Sequence, residues 1–238
     1  MADPRTLADD YVNALAAQLG DRLRSAALFG SAARGEWIEG VSDVNVLVLV
    51  DDIDATLLER SAEATSAAVE RGVMPLLMEL DEWRRAGDVF CIELADMRDA
   101  HIALRGEDPA AHYNAVPSNL RLQAERELRA KLLHLHGGML AAARDRVRLG
   151  QLLLRALPSF VTYLRAALRL AGEPVPATTP SVIERGSRLA GIDPTAFTRV
   201  HEARTGGARL ELNLNDPIVI QFNTSAEQLA AHIDAQGR

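Results

Sequence analysis

The chain of 238 residues is short of several residue types that mark special scaffolds. It has one cysteine, Cys91, which excludes an internal disulfide framework and a cysteine-rich zinc module. Lysine is almost absent: of 26 cationic side chains only Lys131 is lysine. With so much alanine beside it, the arginine excess reads as the mark of a GC-rich genome and carries no functional weight. No uninterrupted apolar run exceeds the five residues Val46–Val50, far short of a membrane span. The opening MADPRTLADD has no apolar signal core. Internal repeats and low-complexity segments are lacking. These absences point to a soluble cytoplasmic protein with no membrane partner. What is present, 48% apolar and 25% charged residues, is the composition of a globular chain able to bury a core. The length allows one large domain or two small ones.

Charge divides the chain. Residues 1–117 hold 22 acids and 10 bases, a balance of −12, whereas residues 118–238 hold 11 acids and 16 bases, a balance of +5. Val116-Pro117-Ser118 breaks a helix and offers Ser118 as the cap of the next. The expected domains are therefore 1–117 and 118–238. The acidic first half argues against nucleic acid as a partner. The basic second half suits an anionic ligand, although arginines on solvated helix faces give the same count.

The periodicities differ between the halves. Leu7, Tyr11, Ala14, Leu15 and Leu19 recur at helical spacing and end at Gly20, predicting a helix over 4–20. Ser25–Phe29 is a short apolar run that stops at Gly30-Ser31, and Ser31–Gly35 reads as a turn opening a short helix. Asp43–Val50 is β-branched and bounded by Asp51-Asp52. It predicts a strand, apolar on both faces in its second half and hence central. A helix over 54–71, a strand over Val73–Leu80, a turn or short helix over Asp81–Arg85 and a third strand over Val89–Leu94 follow. The second half reads as helices over 118–148, 150–171 (with a bend at Pro158), 181–190 and 194–204. Its last segment, opened by Asn215-Asp216-Pro217 and running towards Ile233, fits helix or strand. This half reads as a helical bundle.

The chemistry concentrates in Leu28-Phe29-Gly30-Ser31-Ala32-Ala33-Arg34-Gly35 and, seven residues on, Asp43-Val44-Asn45-Val46-Leu47. A helix N-terminus offers unpaired N–H groups and a positive dipole end to phosphate. Gly30 allows close backbone approach, the Ser31 hydroxyl can bond an anion, and Arg34 can reach the same anion. Asp43 and Asn45, two apart at a strand start, share one face. Two oxygen donors opposite a phosphate-binding turn suit Mg²⁺ or Mn²⁺ and, through the metal, a triphosphate. Taken alone, Asp-x-Asn is equally a cap or an Asx-turn; order and spacing make the combination specific.

Gly30-Ser31…Ser42-Asp43-Val44-Asn45 resembles the signature of the polymerase-beta-like nucleotidyltransferase superfamily. That signature is Gly-Ser, a spacer of about ten residues, then Asp-x-Asp on a strand. The Gly-Ser-x-x-x-Gly spacing and the helical second half are most similar to streptomycin- and kanamycin-type aminoglycoside nucleotidyltransferases and their bacterial relatives. The resemblance implies an α+β fold: an N-terminal nucleotidyltransferase mixed β-sheet domain with flanking helices, then a C-terminal α-helical bundle. It implies metal-dependent transfer of a nucleoside monophosphate, AMP from ATP, to a hydroxyl acceptor. Gly30, Ser31 and Arg34 would bind the nucleotide, and Asp43 with Asn45 the metal. Two departures stand out. Asn45 replaces the second Asp of the pattern. Where a third carboxylate is expected early in Val73–Leu80, the chain has Met74-Pro75. Glu79, and Glu93 on the next expected strand, are the remaining candidates beside Asp43 for catalysis, each also readable as an ordinary strand-end acid. The alternative to an enzyme is a degenerate nucleotidyltransferase fold that binds a nucleotide or a protein partner.

The remaining candidates have structural readings. His134 and His136 point to different faces of their helix. Glu125 and Arg129, and Glu127 and Lys131, are spaced as i,i+4 pairs. Trp37 is a stacking aromatic or a packed turn residue. Trp83 and Phe90 read as core or domain-interface residues, and Cys91, between Phe90 and Ile92, as a buried small hydrophobe.

Overall fold

The computed structural model describes residues 3–111, 113 and 115–236. The chain forms two compact units, Met1–Val116 and Pro117–Arg238.

The first unit is built on a four-stranded mixed sheet. Its strands are β1 (Leu23–Phe29), β2 (Val44–Val50), β3 (Val73–Glu79) and β4 (His101–Gly106), in the order β3-β2-β1-β4. β2 runs antiparallel to β1 and parallel to β3; β4 runs antiparallel to β1. Helix α1 (Pro4–Leu19) begins where Asp3 accepts from the Thr6 amide and Pro4 fills its first position, and it ends at Gly20. Helix α2 (Ala55–Glu70), capped by Asp54 on the Leu57 amide at 2.6 Å, makes the crossover between the parallel strands. Helices α3 (Leu80–Arg85) and α4 (Cys91–Asp99) follow β3.

β2 is central and apolar on both faces, as its composition predicts. Val44, Val46, Val48 and Val50 pack in one cluster with Leu7, Tyr11 and Leu15 of α1 and Leu57 of α2. Leu47 and Leu49 pack in the other with Trp83 of α3 and Leu94 and Met97 of α4. The period-two alternation that assigns these faces also puts Asn45 on the α3–α4 side of β2.

Two expectations are corrected here. The segment Val89–Leu94 is not a strand: from Cys91 the chain is helical, burying Cys91, Leu94 and Ala95 at helical spacing. A short apolar run does not distinguish strand from helix by itself. The fourth strand lies later, at His101–Gly106, with only Ile102, Ala103 and Leu104 as apolar residues.

The second unit contains helices α5 (Pro117–Ala141), α6 (Arg146–Leu170), α7 (Thr179–Ala190), α8 (Thr195–Thr205) and α9 (Pro217–Ala235). The expected boundary at 148–150 lies earlier, because Asp145 accepts from the Val147 and Arg148 amides and so starts α6. α6 continues through Pro158. The segment left open between helix and strand is helical: Asp216 caps it and Pro217 opens it. Phe160, Phe197 and Phe222 are buried together, with ring centroids 5.0 to 6.0 Å apart. No helix among the described residues is long and apolar enough to cross a membrane.

Candidate functional site

The motif residues meet at one end of the sheet. In the register of the strands, Met74, Asn45, Phe29 and His101 form a row across all four. Gly30 follows Phe29 directly, so the turn after β1 begins beside Asn45. Gly30 has φ +78°, a conformation open to glycine. A Cβ there would stand 3.0 Å from Asn45 Nδ2, so the Asn45 amide lies against the Gly30 backbone.

The turn over 31–35 does not become a helix. It holds one α-type bond, from the Arg34 amide to the Gly30 carbonyl at 3.2 Å, and closes with the Glu36 amide on the Ser31 carbonyl at 2.9 Å. The expected helix dipole is therefore missing. The amides of Ser31, Ala32 and Ala33 have no backbone acceptor among the described residues. Three successive N–H groups in a turn still form an anion-binding concavity.

Arg34 is not directed at open space. Its side chain is 7% exposed, and its guanidinium donates to the Asp96 carbonyl at 3.1 Å and stands 3.6 Å from the Asp96 carboxylate. It ties the turn to α4. Asp43 is exposed and immediately precedes β2.

The two further acids differ in position. Glu79 ends β3, paired with Val50, while the Asp43 end of β2 lies beside Val73. Seven residues of strand separate Glu79 from Asp43, roughly 20 Å at the ordinary rise. Its carboxylate accepts from the Ile53 amide at 3.1 Å. The parallel register thus sets Glu79 at the end of β3 remote from Asp43, as its place late in Val73–Leu80 implies. Glu93 is on α4, not on a strand, one turn before Asp96 and on the same side of the helix. The position beside Asn45 on β3 belongs to Met74, 47% exposed. Among the described residues no three His, Cys, Asp or Glu side chains group as a metal cage. The donors at this end, one carboxylate and one amide, fit a Mg²⁺ that arrives with phosphate oxygens as its other ligands.

The other candidates resolve structurally. Trp37 packs against the α1–α2 cluster. Trp83 is buried and donates to the Pro109 carbonyl at 3.0 Å. Cys91 donates to the Gly87 carbonyl, and burial pushes its thiol up from the ordinary value. His136 bonds Asn223 on α9, while His134 is exposed on another face. Arg121 and Arg129 both pair with Glu125. Glu127 accepts from Gln123, not from Lys131.

Comparison with solved structures finds a similar architecture in spectinomycin adenyltransferase AAD(9) from Enterococcus faecialis, whose crystal structure contains ATP and spectinomycin. The likeness covers 92% of this chain and 96% of that one, with a TM-score of 0.57 and 14% identity. This chain has the nucleotidyltransferase fold. No family model and no curated protein matches the sequence. The α+β class and the helical second half expected from the Gly30-Ser31…Asp43-x-Asn45 motif are as the structure has them. The Arg34–Asp96 tie and the helical place of Glu93 were not accessible from spacing.

Proposed function

We propose that the protein binds ATP at the sheet end formed by Gly30, Ser31, Asp43 and Asn45 and transfers its AMP to a small hydroxyl-bearing acceptor. The observation that carries this reading is the turn of three free amides set beside Asn45 and the Asp43 strand start. It lies within a fold shared with an adenyltransferase whose structure contains ATP. The amides of Ser31–Ala33 and the Ser31 hydroxyl hold terminal phosphate oxygens. Arg34, tied to Asp96, positions that turn without touching the nucleotide. Asp43 holds a divalent cation, with Asn45 as a neutral ligand or a donor to phosphate. The cation supplies charge neutralisation at the phosphates. Glu93 is the remaining acid for proton removal from the acceptor.

A second reading, a nucleotide-binding module without turnover, is favoured by Met74 beside Asn45, where a carboxylate would complete the metal site.

The test is calorimetric titration with ATP, GTP, CTP and UTP, with Mg²⁺ or with EDTA, beside Asp43→Ala and Glu79→Gln. Metal-dependent binding of ATP, lost in Asp43→Ala and kept in Glu79→Gln, supports the site. No binding of any nucleotide overturns it. Release of pyrophosphate from ATP with an acceptor screen separates the readings. In the module reading only the double change Asn45→Asp and Met74→Glu strengthens Mg²⁺-dependent binding, and wild type yields no pyrophosphate.

A further inference from the structure

A cavity of about 480 Å³ opens on the sheet face covered by α3 and α4. Its inner wall stands away from the motif end, while Asp108 at its mouth touches His101 of the Asn45 row. Its walls include the paired residues Ser25 and Leu49, four positions along the strands from the Phe29–Asn45 pair, roughly 13 Å at the strand rise. Its volume lies in the range of small-molecule pockets.

The lining defines what fits. Leu49, Leu80, Trp83, Leu94 and Tyr113 supply aliphatic and aromatic walls. Their polar neighbours are already bonded. Ser25 donates to the Glu107 carbonyl at 2.7 Å, Trp83 to the Pro109 carbonyl at 3.0 Å, and Tyr113 to the Gly87 carbonyl at 3.2 Å. These side-chain protons are thus directed at the protein itself, while the hydroxyl of Ser25 keeps a lone pair. The charged lining residues, Arg24 and Arg84 against Glu107 and Asp108, sum to zero. Arg24 pairs with Asp51 at 2.8 Å, Arg84 with Glu107 at 3.7 Å, and Asp108 with His101 at 2.7 Å. A charged guest would lose its hydration and find no unbalanced partner.

We infer that this cavity is a second binding site, for an uncharged, flat molecule of one or two rings that donates at most one hydrogen bond. The site is independent of the nucleotide reading, since none of its walls belongs to the turn or to the Asp43 end of β2.

The probe is 2-naphthol, a neutral two-ring molecule with one donor, set against 2-naphthalenesulfonate, the same ring with a charge. Binding to the full chain is followed by calorimetry and by nuclear Overhauser contacts from the probe to the Trp83 ring. The expected result is saturable one-to-one binding of 2-naphthol, contacts to Trp83, and at least about tenfold weaker binding of the sulfonate. Leu80→Trp, which puts an indole into the cavity, should remove naphthol binding while the circular dichroism of the chain stays unchanged. Absence of saturable binding, contacts elsewhere than Trp83, or equal binding of the sulfonate overturns the inference. Should Leu80→Trp fail to fold, the Overhauser contacts and the sulfonate comparison decide alone.

Discussion

Gly30→Ala tests the geometry of the motif end most directly. At φ +78° an L-residue costs about 1–2 kcal/mol relative to glycine. The new methyl would also stand 3.0 Å from Asn45 Nδ2, so the amide must turn aside, at about 0.5–1.5 kcal/mol for an off-rotamer side chain. The expected loss is about 2–3 kcal/mol. Gly35→Ala is the control: φ is +73° and the space around its Cβ is open, so strain alone remains, about 1–2 kcal/mol. In an Asn45→Ala background the extra cost at position 30 should vanish, giving a coupling of about 1 kcal/mol. Urea unfolding followed by tryptophan fluorescence reads the right unit, because both tryptophans, Trp37 and Trp83, lie in Met1–Val116. ATP affinity should fall with Gly30→Ala and hold with Gly35→Ala. Equal losses at the two glycines, with no coupling to Asn45, would refute the contact between the turn and β2.

Arg34→Met should cost about 1–3 kcal/mol by the same fluorescence assay, since it removes a buried donor from the Asp96 carbonyl. Asp96→Asn should cost less, because that carbonyl bond survives. The Leu57 amide first, and then Arg22, hold the Asp54 carboxyl below its ordinary value. Asp54→Ala should therefore lower stability at neutral pH. A depressed carboxylate stabilises above its unfolded value of about 3.8, and that contribution is lost as pH falls through the folded value. The difference between wild type and Asp54→Ala should accordingly shrink below about pH 4 in unfolding titrations; a constant difference down to pH 2 would count against the cap. In the second unit, Gly150→Ala drives a methyl into the Leu210 carbonyl and should destabilise by about 1–3 kcal/mol. Gly137→Ala meets open space on α5 and should stabilise by up to about 1 kcal/mol. Thermal melts by circular dichroism separate the two signs.

The elements readable from sequence were those with both a period and a stop. α1 has Leu7, Tyr11 and Leu15 on one face, with Asp3 and Gly20 at its ends. β2 has four β-branched residues, the last of them the Val50 that precedes Asp51. Val89–Leu94 has neither signal: a run of four apolar residues, then Glu93 and Leu94, fits strand and helix alike, and packing of Leu94 and Met97 under the sheet decides for helix. β4 was invisible because His101 and Arg105 dilute it, and its strand character comes from pairing with β1. The long stretch over 118–148 was periodic throughout, and only the Asp145 side chain, bonded to two amides ahead of it, divides α5 from α6.

The candidate site divides along the same line. Gly30, Ser31, Asp43 and Asn45 are close in sequence, and one antiparallel pairing between consecutive strands suffices to bring them together. Their adjacency was therefore legible. The roles of Glu79, Glu93 and Arg34 depended on longer connections. Whether a residue of β3 meets Asn45 is set by the crossover through α2, and the register places Met74 there and Glu79 at the far end. Arg34 has an acceptor 62 positions away in sequence, on a helix expected as a strand. The consequence is chemical: a chain can display the ordered Gly-Ser and Asp-x-Asn motif and still have an uncharged thioether where the next strand meets it. On the proposed nucleotide reading, the charge at that one register position would decide whether a metal is held by the protein or by the nucleotide it brings, and Met74→Glu in the Asn45→Asp chain is the substitution that would move it from one state to the other.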